Sequence, residues 1–287
     1  MAEKIDLTGK EFRRLQLIQL DLLKELDRVC RANNITYTVS DGSLLGAVRH
    51  KGFIPWDDDI DVSMLREEYE KFKKVANQLN PDIAYFQDHT TDPNYIWGYG
   101  KLRRVGTSFV RVGQGHLHYQ DGVGIDVFPM DDVPNCLFGR MIQDFKLFMM
   151  RKHLYAQVAI KNEKKKFPLF LYKIMAKKSP HKVLKRFDKM VKKSKNDNNK
   201  EVRLYLYQAP GKQYLKQPLK HRYSMPKSWF KDVMDMPFED MIVKGSKDYD
   251  AYMTYMYGDY MTPLAENKRD PHAPCESYDF GHLYEDI

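Results

Sequence analysis

Cysteine is scarce in this chain. Three residues out of 287, Cys30, Cys136 and Cys275, lie far apart with no Cys-x-x-Cys pair among them. That odd, scattered set excludes a disulfide framework and a zinc knuckle. No apolar run approaches the ~20 residues that a membrane span needs. The first residues, Met1-Ala-Glu-Lys-Ile-Asp6, lack the apolar stretch of a secretory signal, so the expectation is a cytoplasmic protein. The nine histidines contain no His-Glu-x-x-His spacing, and His116 and His118 share one strand face at most. Acidic residues are missing from one place in particular. Residues 161–200 hold fourteen lysines and Arg186 against Glu163, Asp188 and Asp197, which leaves the remainder of the chain net acidic although the whole carries +8. A local basic segment, rather than a basic protein, therefore needs explaining. No aromatic-basic sheet motif accompanies the lysines, so nucleic acid is not an expected partner.

What is present is a core-forming chain, 43% hydrophobic, organised around residues 40–63. Four carboxylates fall in five positions there: Asp57, Asp58, Asp59 and Asp61. Such crowding is costly unless a cation sits among the charges. Oxygen-only ligands favour Mg²⁺, Mn²⁺ or Ca²⁺ over zinc. Asp59-Ile60-Asp61-Val62 reads as a strand whose alternation puts both carboxylates on one face and both apolar side chains on the other. Upstream, Gly42-Ser43 precedes a short helical run from Leu44 to Arg49, and such a turn presents N–H groups and a hydroxyl to an anion. An EF-hand also places Asp57, Asp59, Asp61 and Glu68 at loop positions one, three, five and twelve. That reading fails where the sharp turn needs glycine and the chain has Val62.

The second chemical landmark is Gly124-Ile-Asp126-Val-Phe-Pro129. A carboxylate between apolar strand residues is expensive if buried alone. Strand pairing that brings Asp126 beside Asp59 and Asp61 would explain it as a third ligand; an aspartate capping a turn is the alternative. Asp131 and Asp132 are expected in the loop that follows.

Elsewhere the pattern is that of a mixed fold. Thr8-Gly-Lys-Glu11 fits a capping box. Phe12, Leu15, Ile18, Leu22, Leu26 and Val29 then form the apolar stripe of a helix to about Ala32. Ile35 to Val39 reads as a strand, Arg66 to Leu79 as a charged helix, and residues 83–112 as two or three strands that include Lys101. Residues 137–160 read as a Met- and Phe-rich core helix. His181 to Lys193 is a basic amphipathic helix, preceded by the apolar Pro168–Tyr172. It fits either a membrane-surface element or an ordinary helix packed on the domain. Val202–Tyr207 and Met236–Val243 read as strands, and Ser246–Tyr257 as a helix closed by Gly258.

Gly42-Ser-Leu-Leu-Gly-Ala-Val-Arg49 followed by Gly52-Phe-Ile-Pro-Trp-Asp-Asp-Asp-Ile-Asp-Val62 resembles the signature of the LicD family of phosphorylcholine transferases and their fukutin-related relatives. Gly124–Pro129, Tyr257-Gly-Asp-Tyr-Met261 and the Lys268-Arg269…His272 pattern resemble further family segments. The resemblance covers roughly residues 25–135 and 236–272. It implies an α+β fold, a nucleotidyltransferase-like mixed β-sheet flanked by helices, with a largely helical basic insertion. The expected division is 1–135 as catalytic core, 136–200 as a helical, basic accessory segment, and 201–287 completing the catalytic domain. It further implies Asp59, Asp61 and Asp126 as catalytic metal ligands for Mg²⁺ or Mn²⁺. Gly42, Ser43, Arg49, Lys101, Lys268, Arg269 and His272 would contact substrate. Trp56, Trp97 and Tyr99 are aromatic faces near the motifs that a quaternary ammonium could use. The implied reaction is transfer of phosphorylcholine from CDP-choline, or a similar CDP-alcohol such as CDP-ribitol, to a sugar hydroxyl. The acceptor would be a glycan or lipid-linked glycan (teichoic acid, lipopolysaccharide or capsule precursor), and CMP would leave. Nucleotidyl transfer and a non-enzymatic calcium-binding surface adaptor stand as alternatives. Peripheral association with the inner face of the cell membrane is the corresponding expectation for the basic segment.

Overall fold

The computed structural model describes residues 4–195, 198–206, 224–269 and 274–287. After the short β1 (Ile5–Asp6), α1 (Gly9–Ala32) leads to β2 (Thr38–Val39), α2 (Asp41–Arg49), β3 (Asp61–Leu65) and α3 (Arg66–Val75). Four strands follow: β4 (Ala84–Gln87), β5 (Gly100–Arg104), β6 (Ser108–Arg111) and β7 (Gly124–Asp132). Three helices come next, α4 (Leu137–Asn162), α5 (Lys166–Ala176) and α6 (Pro180–Ser194), then β8 (Glu201–Leu204). The chain closes with β9 (Met225–Pro226), α7 (Ser228–Lys231), β10 (Val233–Phe238), β11 (Met241–Ser246), α8 (Tyr249–Tyr257) and β12 (Pro274–Asp279). This is the expected α+β fold.

A seven-stranded mixed sheet carries the molecule, in the order β2-β3-β7-β5-β4, with β8 on β7 and β9 on β8. Among the described residues β3 and β7 run parallel and the other pairs of this sheet antiparallel. β7 changes partner along its length: Gly124–Val127 pairs with β5 and Met130–Asp132 with β8. Both central strands are buried on both faces, which is why they read as apolar runs interrupted by single aspartates. α1 and α3 cover the sheet with Leu22, Leu26, Tyr69 and Phe72, and the β10–β11 hairpin and α8 add Phe238, Val243, Tyr252 and Met253 to the same core. A smaller sheet, β1-β12-β6, closes over the start of α1 through Leu7, Phe12, Phe109 and Phe280.

Several expectations change in the folded chain. Thr8 stands at the N-cap of α1 without a side-chain cap bond, and Glu11 turns instead to Arg14, so no capping box forms. Gly42 and Ser43 belong to the first turn of α2 rather than to a turn before it. Asp131 and Asp132 end β7 rather than lying in a loop. Asp131 is buried and accepts two bonds from Arg66, at 2.7 and 2.8 Å. The strand expected at 202–207 ends at Leu204, and Tyr207 lies outside the described residues.

The basic segment differs most. The apolar face of α6 is occupied: Val183, Leu184 and Phe187 are buried with Leu147, Leu154, Tyr205 and Leu206. Its lysine-rich face is that of a helix packed on the domain. α4, read as a core helix, is core on one face alone. Leu147, Leu154 and Val158 are buried, whereas Phe138, Met141, Ile142, Phe145 and Phe148 are exposed.

Candidate active site

The site forms where β3 and β7 begin. Parallel register sets Asp61 directly beside Asp126, and the Asp126 N–H donates to Ile60 O at 2.9 Å. Asp59 lies just before β3 and lines the same cavity as Asp126. The carboxylates of Asp57, Asp58 and Asp59 offer oxygens that all lie within 4.8 Å of one another. Two chain segments remote in sequence therefore converge on one acidic cluster. Ser43 ties α2 to it: its buried Oγ accepts the Asp61 N–H at 2.9 Å, and the Ser40 N–H donates to Asp61 O at 2.9 Å. Gly42 explains itself here. A Cβ at that position would meet Asp57 Oδ2 at 2.4 Å, so only a glycine lets the Asp57 carboxylate approach the first turn of α2.

Electrostatics follows from this crowding. Burial, and then Asp59 and Asp58, push the Asp57 carboxyl up to about 8. Burial and Asp58 bring Asp59 to about 6, against the pull of Arg111 and Lys101. Burial and Asp59 raise Asp41 to about 6. Asp61 lies well above the ordinary carboxylate range for the same reasons, burial first and Asp59 next. Asp41 belongs to the cluster although it carries no motif; its φ of +48° places it in the left-handed region at the start of α2. Among the described residues Asp58 Oδ2 and Asp61 Oδ1 are buried without a hydrogen-bond partner, Asp58 Oδ2 having only the more distant Arg111 guanidinium beside it. Orphaned buried acceptors are rare. In an all-oxygen set they fit a hard divalent cation; the close oxygens of Asp57, Asp58 and Asp59, with Asp61 and Asp126 alongside, would hold it.

Across the cluster stands a wall of cations. Lys101 pairs with Asp126 in register and its ammonium bonds Asp126 Oδ1. Burial pulls the Lys101 ammonium below its ordinary value, while Asp126 acts in the other direction. Arg111 Nη2 lies 3.6 Å from Asp58 Oδ2; burial acts against its charge, but Asp58, Asp59 and Asp126 hold the guanidinium above its usual value. Lys101, Arg103 and Arg111 share a cavity of about 270 Å³ with Asp59, Asp126, Trp97, Tyr99, Tyr119 and Tyr155. Lys101 sits 5.7 Å over Tyr99 and Arg103 5.6 Å over Tyr119. The pocket thus joins an acidic floor, a cationic wall and aromatic faces.

The remaining sequence candidates lie elsewhere. Arg49 ends α2, roughly 10 Å along the axis from Gly42. It donates to Tyr260 O and to His50 Nε2, each at 2.9 Å. Burial and the nearby Arg269 lower its basicity. Arg269 lies 4.7 Å over the Trp56 ring, so these two arginines form a second group of their own. Lys268 ends the short turn Glu266–Lys268, and His272 lies outside the described residues. Sequence reasoning missed Asp41, Arg103, Arg111, Tyr119 and Tyr155. Arg103 could have been found, since it follows Lys101 at the two-residue spacing of one strand face. Arg111, Tyr119 and Tyr155 reach the pocket through the pairing of β6, the segment between β6 and β7, and the path of α4, for which no local spacing gives a signal.

Residues 34–168, which contain the acidic cluster and the cationic wall, match the family model described as LicD/FKTN/FKRP, nucleotidyltransferase domain. Along 285 aligned positions the chain is 28% identical to the lipopolysaccharide cholinephosphotransferase LicD of Haemophilus influenzae, covering 93% of this chain and 97% of that protein. Shorter matches join it to two uncharacterized Rickettsia proteins. One, from R. typhi, is 41% identical over 69 residues, 24% of this chain and 22% of its own length. The other, from R. prowazekii, is 38% identical over 87 residues, 29% and 31% respectively.

Proposed function

We propose that this chain is a LicD-type transferase, a reading supported by the match of residues 34–168 to the family model and the 28% identity to LicD of Haemophilus influenzae, and that it moves phosphorylcholine from CDP-choline to a sugar hydroxyl of a cell-surface glycan precursor and releases CMP. The observation that carries this reading is the register of Asp61 against Asp126, which sets carboxylates from two strands beside a cation-lined pocket. Transfer of a substituted phosphate needs positioning and charge neutralisation more than covalent chemistry. A divalent cation, Mg²⁺ or Mn²⁺, held by Asp59, Asp61 and Asp126 would supply that neutralisation and acidify an incoming hydroxyl.

The chain's own residues divide the remaining work. Lys101, Arg103 and Arg111 spread positive charge over the donor phosphates, while Gly42 and Ser43, which do not line that cavity, hold the Asp57 carboxylate and the Asp61 backbone in place. The Lys101 ammonium bonds one oxygen of Asp126 and so orients the carboxylate that would take the acceptor's proton. Trp97, Tyr99 and Tyr119 offer aromatic faces to a quaternary ammonium or a pyrimidine ring. The proposed acceptor is a lipopolysaccharide, teichoic acid or capsule precursor, free or lipid-linked; a lipid-linked one would be met at the inner face of the membrane.

Incubation with choline-labelled CDP-choline, Mg²⁺ and a glycan acceptor tests the reading. Expected are free CMP and label on the acceptor, both lost in Asp126→Asn. A nucleotidylated acceptor would overturn it in favour of nucleotidyl transfer. Turnover of CDP-ribitol with CDP-choline left intact would replace choline by another CDP-alcohol.

A further inference from the structure

Eleven of the seventeen large hydrophobic side chains exposed among the described residues lie on one helical hairpin, α4–α5. Phe138 is 72% exposed, Phe145 65%, Phe167 71% and Phe170 59%. On α4 the exposed residues 138, 141, 142, 145 and 148 recur at helical spacing and form one stripe, opposite the stripe that enters the domain. α5 has no buried residue at all. Soluble surfaces rarely leave so much contiguous apolar area without a use.

Charge identifies the occupant. Residues 137–178 carry eleven lysines and arginines against Asp144 and Glu163. Both acids are engaged: Asp144 accepts from Arg203, and Glu163 from the Lys165 N–H. Lys164, Lys165 and Lys166, at the turn of the hairpin, are exposed, as are Lys146 and Lys173 beside the aromatic residues. Phenylalanines rimmed by lysines, on helices that are not built to cross a bilayer, match the headgroup–acyl boundary of an anionic lipid surface. α4 also reaches the active-site cavity, because Tyr155 lines it. A face that rests on lipid is therefore continuous with the pocket that would receive a lipid-linked acceptor.

We propose that the exposed face of α4–α5 docks the enzyme on an anionic bilayer, with α5 and the first half of α4 in the interface and α6 away from it. The inference rests on the reading of the acceptor as membrane-borne.

Vesicle sedimentation tests it. The full chain should pellet with phosphatidylglycerol vesicles and stay in solution with phosphatidylcholine vesicles, and about 0.5 M NaCl should release much of it. Phe145→Ser with Phe170→Ser should weaken binding ~10-fold or more. Lys164→Gln, Lys165→Gln and Lys166→Gln together should act in the same direction. Lys185→Gln with Lys189→Gln on α6 should change little. Neither phenylalanine lines the pocket, so CMP release with a soluble acceptor should be unchanged in the double variant, and that assay reports on the transferase reading by itself. Failure of the wild type to pellet, or loss of binding through α6 with the hairpin variants intact, would overturn the proposal. So would a dimer in light scattering that Phe145→Ser dissociates, since the face would then belong to a second copy.

Discussion

Asp61 sits in a place that stability alone would not choose. The residue is 6% exposed, one carboxylate oxygen has no hydrogen-bond partner among the described residues, and Asp126 faces it across the register. Its nearest electrostatic company is further acid, Asp59, Asp41 and Asp57. A buried charge without a counter-charge destabilises the fold that holds it. Asp61→Asn keeps the shape, removes one negative charge and adds N–H groups that the remaining carboxylates can accept from. The expected outcome is a higher melting temperature in EDTA, together with loss of transfer by roughly 10³-fold or more. Scanning calorimetry beside the CMP assay checks both halves. A variant that melts lower in EDTA would show that the wild-type cluster is self-sufficient and needs no cation.

At the scale of elements, single ion pairs hold the covering helices in place. Glu25 on α1 accepts Arg28 at 2.6 and 2.9 Å and the Asn80 N–H at 2.6 Å, while Arg28 also donates to Gln78 O at 2.7 Å. This knot fixes α1 to the segment that follows α3. The Arg28 bond, with the Asn80 N–H, holds the Glu25 carboxyl below its ordinary 4.5 although burial acts the other way. Because the folded value is depressed, the stability Glu25 contributes is complete above pH 4.5 and disappears as pH falls through the folded value. Glu25→Gln should therefore cost about 1 kcal/mol in urea melts at pH 7, a modest figure because Arg28 is half exposed, and almost nothing near the acid limit. An equal cost at both pH values would mean that packing, not charge, is what the glutamate provides. Elements also mark what the chain discloses before it folds. The start of β3 at Asp61-Val62 and the apolar flanks of Asp126 were legible because each is a local pattern with one cheap structural solution, although the strand expected from Asp59 begins two residues later, which leaves Asp59 on the loop before it. Arg111 was not, since β6 reaches the pocket through pairing with β12, about 165 residues later. The stripe Phe138–Phe148 has the periodicity of a buried face, and periodicity states that a face is apolar without saying what covers it. α6 shows the converse. Its pattern fits a membrane-surface helix equally well, and only the arrival of Leu147 and Tyr205 against Val183 and Phe187 decides.

For the molecule as a whole, the parallel pair β3–β7 is the joint between the two halves of the acidic cluster. Asp61 enters from one strand and Asp126 from the other, while Asp57, Asp58 and Asp59 hang on the loop between α2 and β3. A cation bound there neutralises charge contributed by both strands and by the loop at once, so its binding energy is conferred on the native state, which alone brings those groups together. With binding restricted to the native chain, Mg²⁺ at about 100 times its dissociation constant adds ~2.7 kcal/mol. In a protein of this size that corresponds to a rise in melting temperature of roughly 4–5 °C. Mg²⁺ or Mn²⁺ added to EDTA-treated protein should produce such a shift, and Na⁺ at matched ionic strength should not, because screening cannot supply ligand-specific neutralisation. Asp61→Asn should start from the higher melting temperature argued above and show little further rise on adding Mg²⁺. The two curves should then approach each other at saturating metal. That convergence separates a cation site from general charge relief: if Mg²⁺ shifts wild type and variant equally, the ion acts elsewhere on the surface and the carboxylates at the head of β3 and β7 are not its ligands.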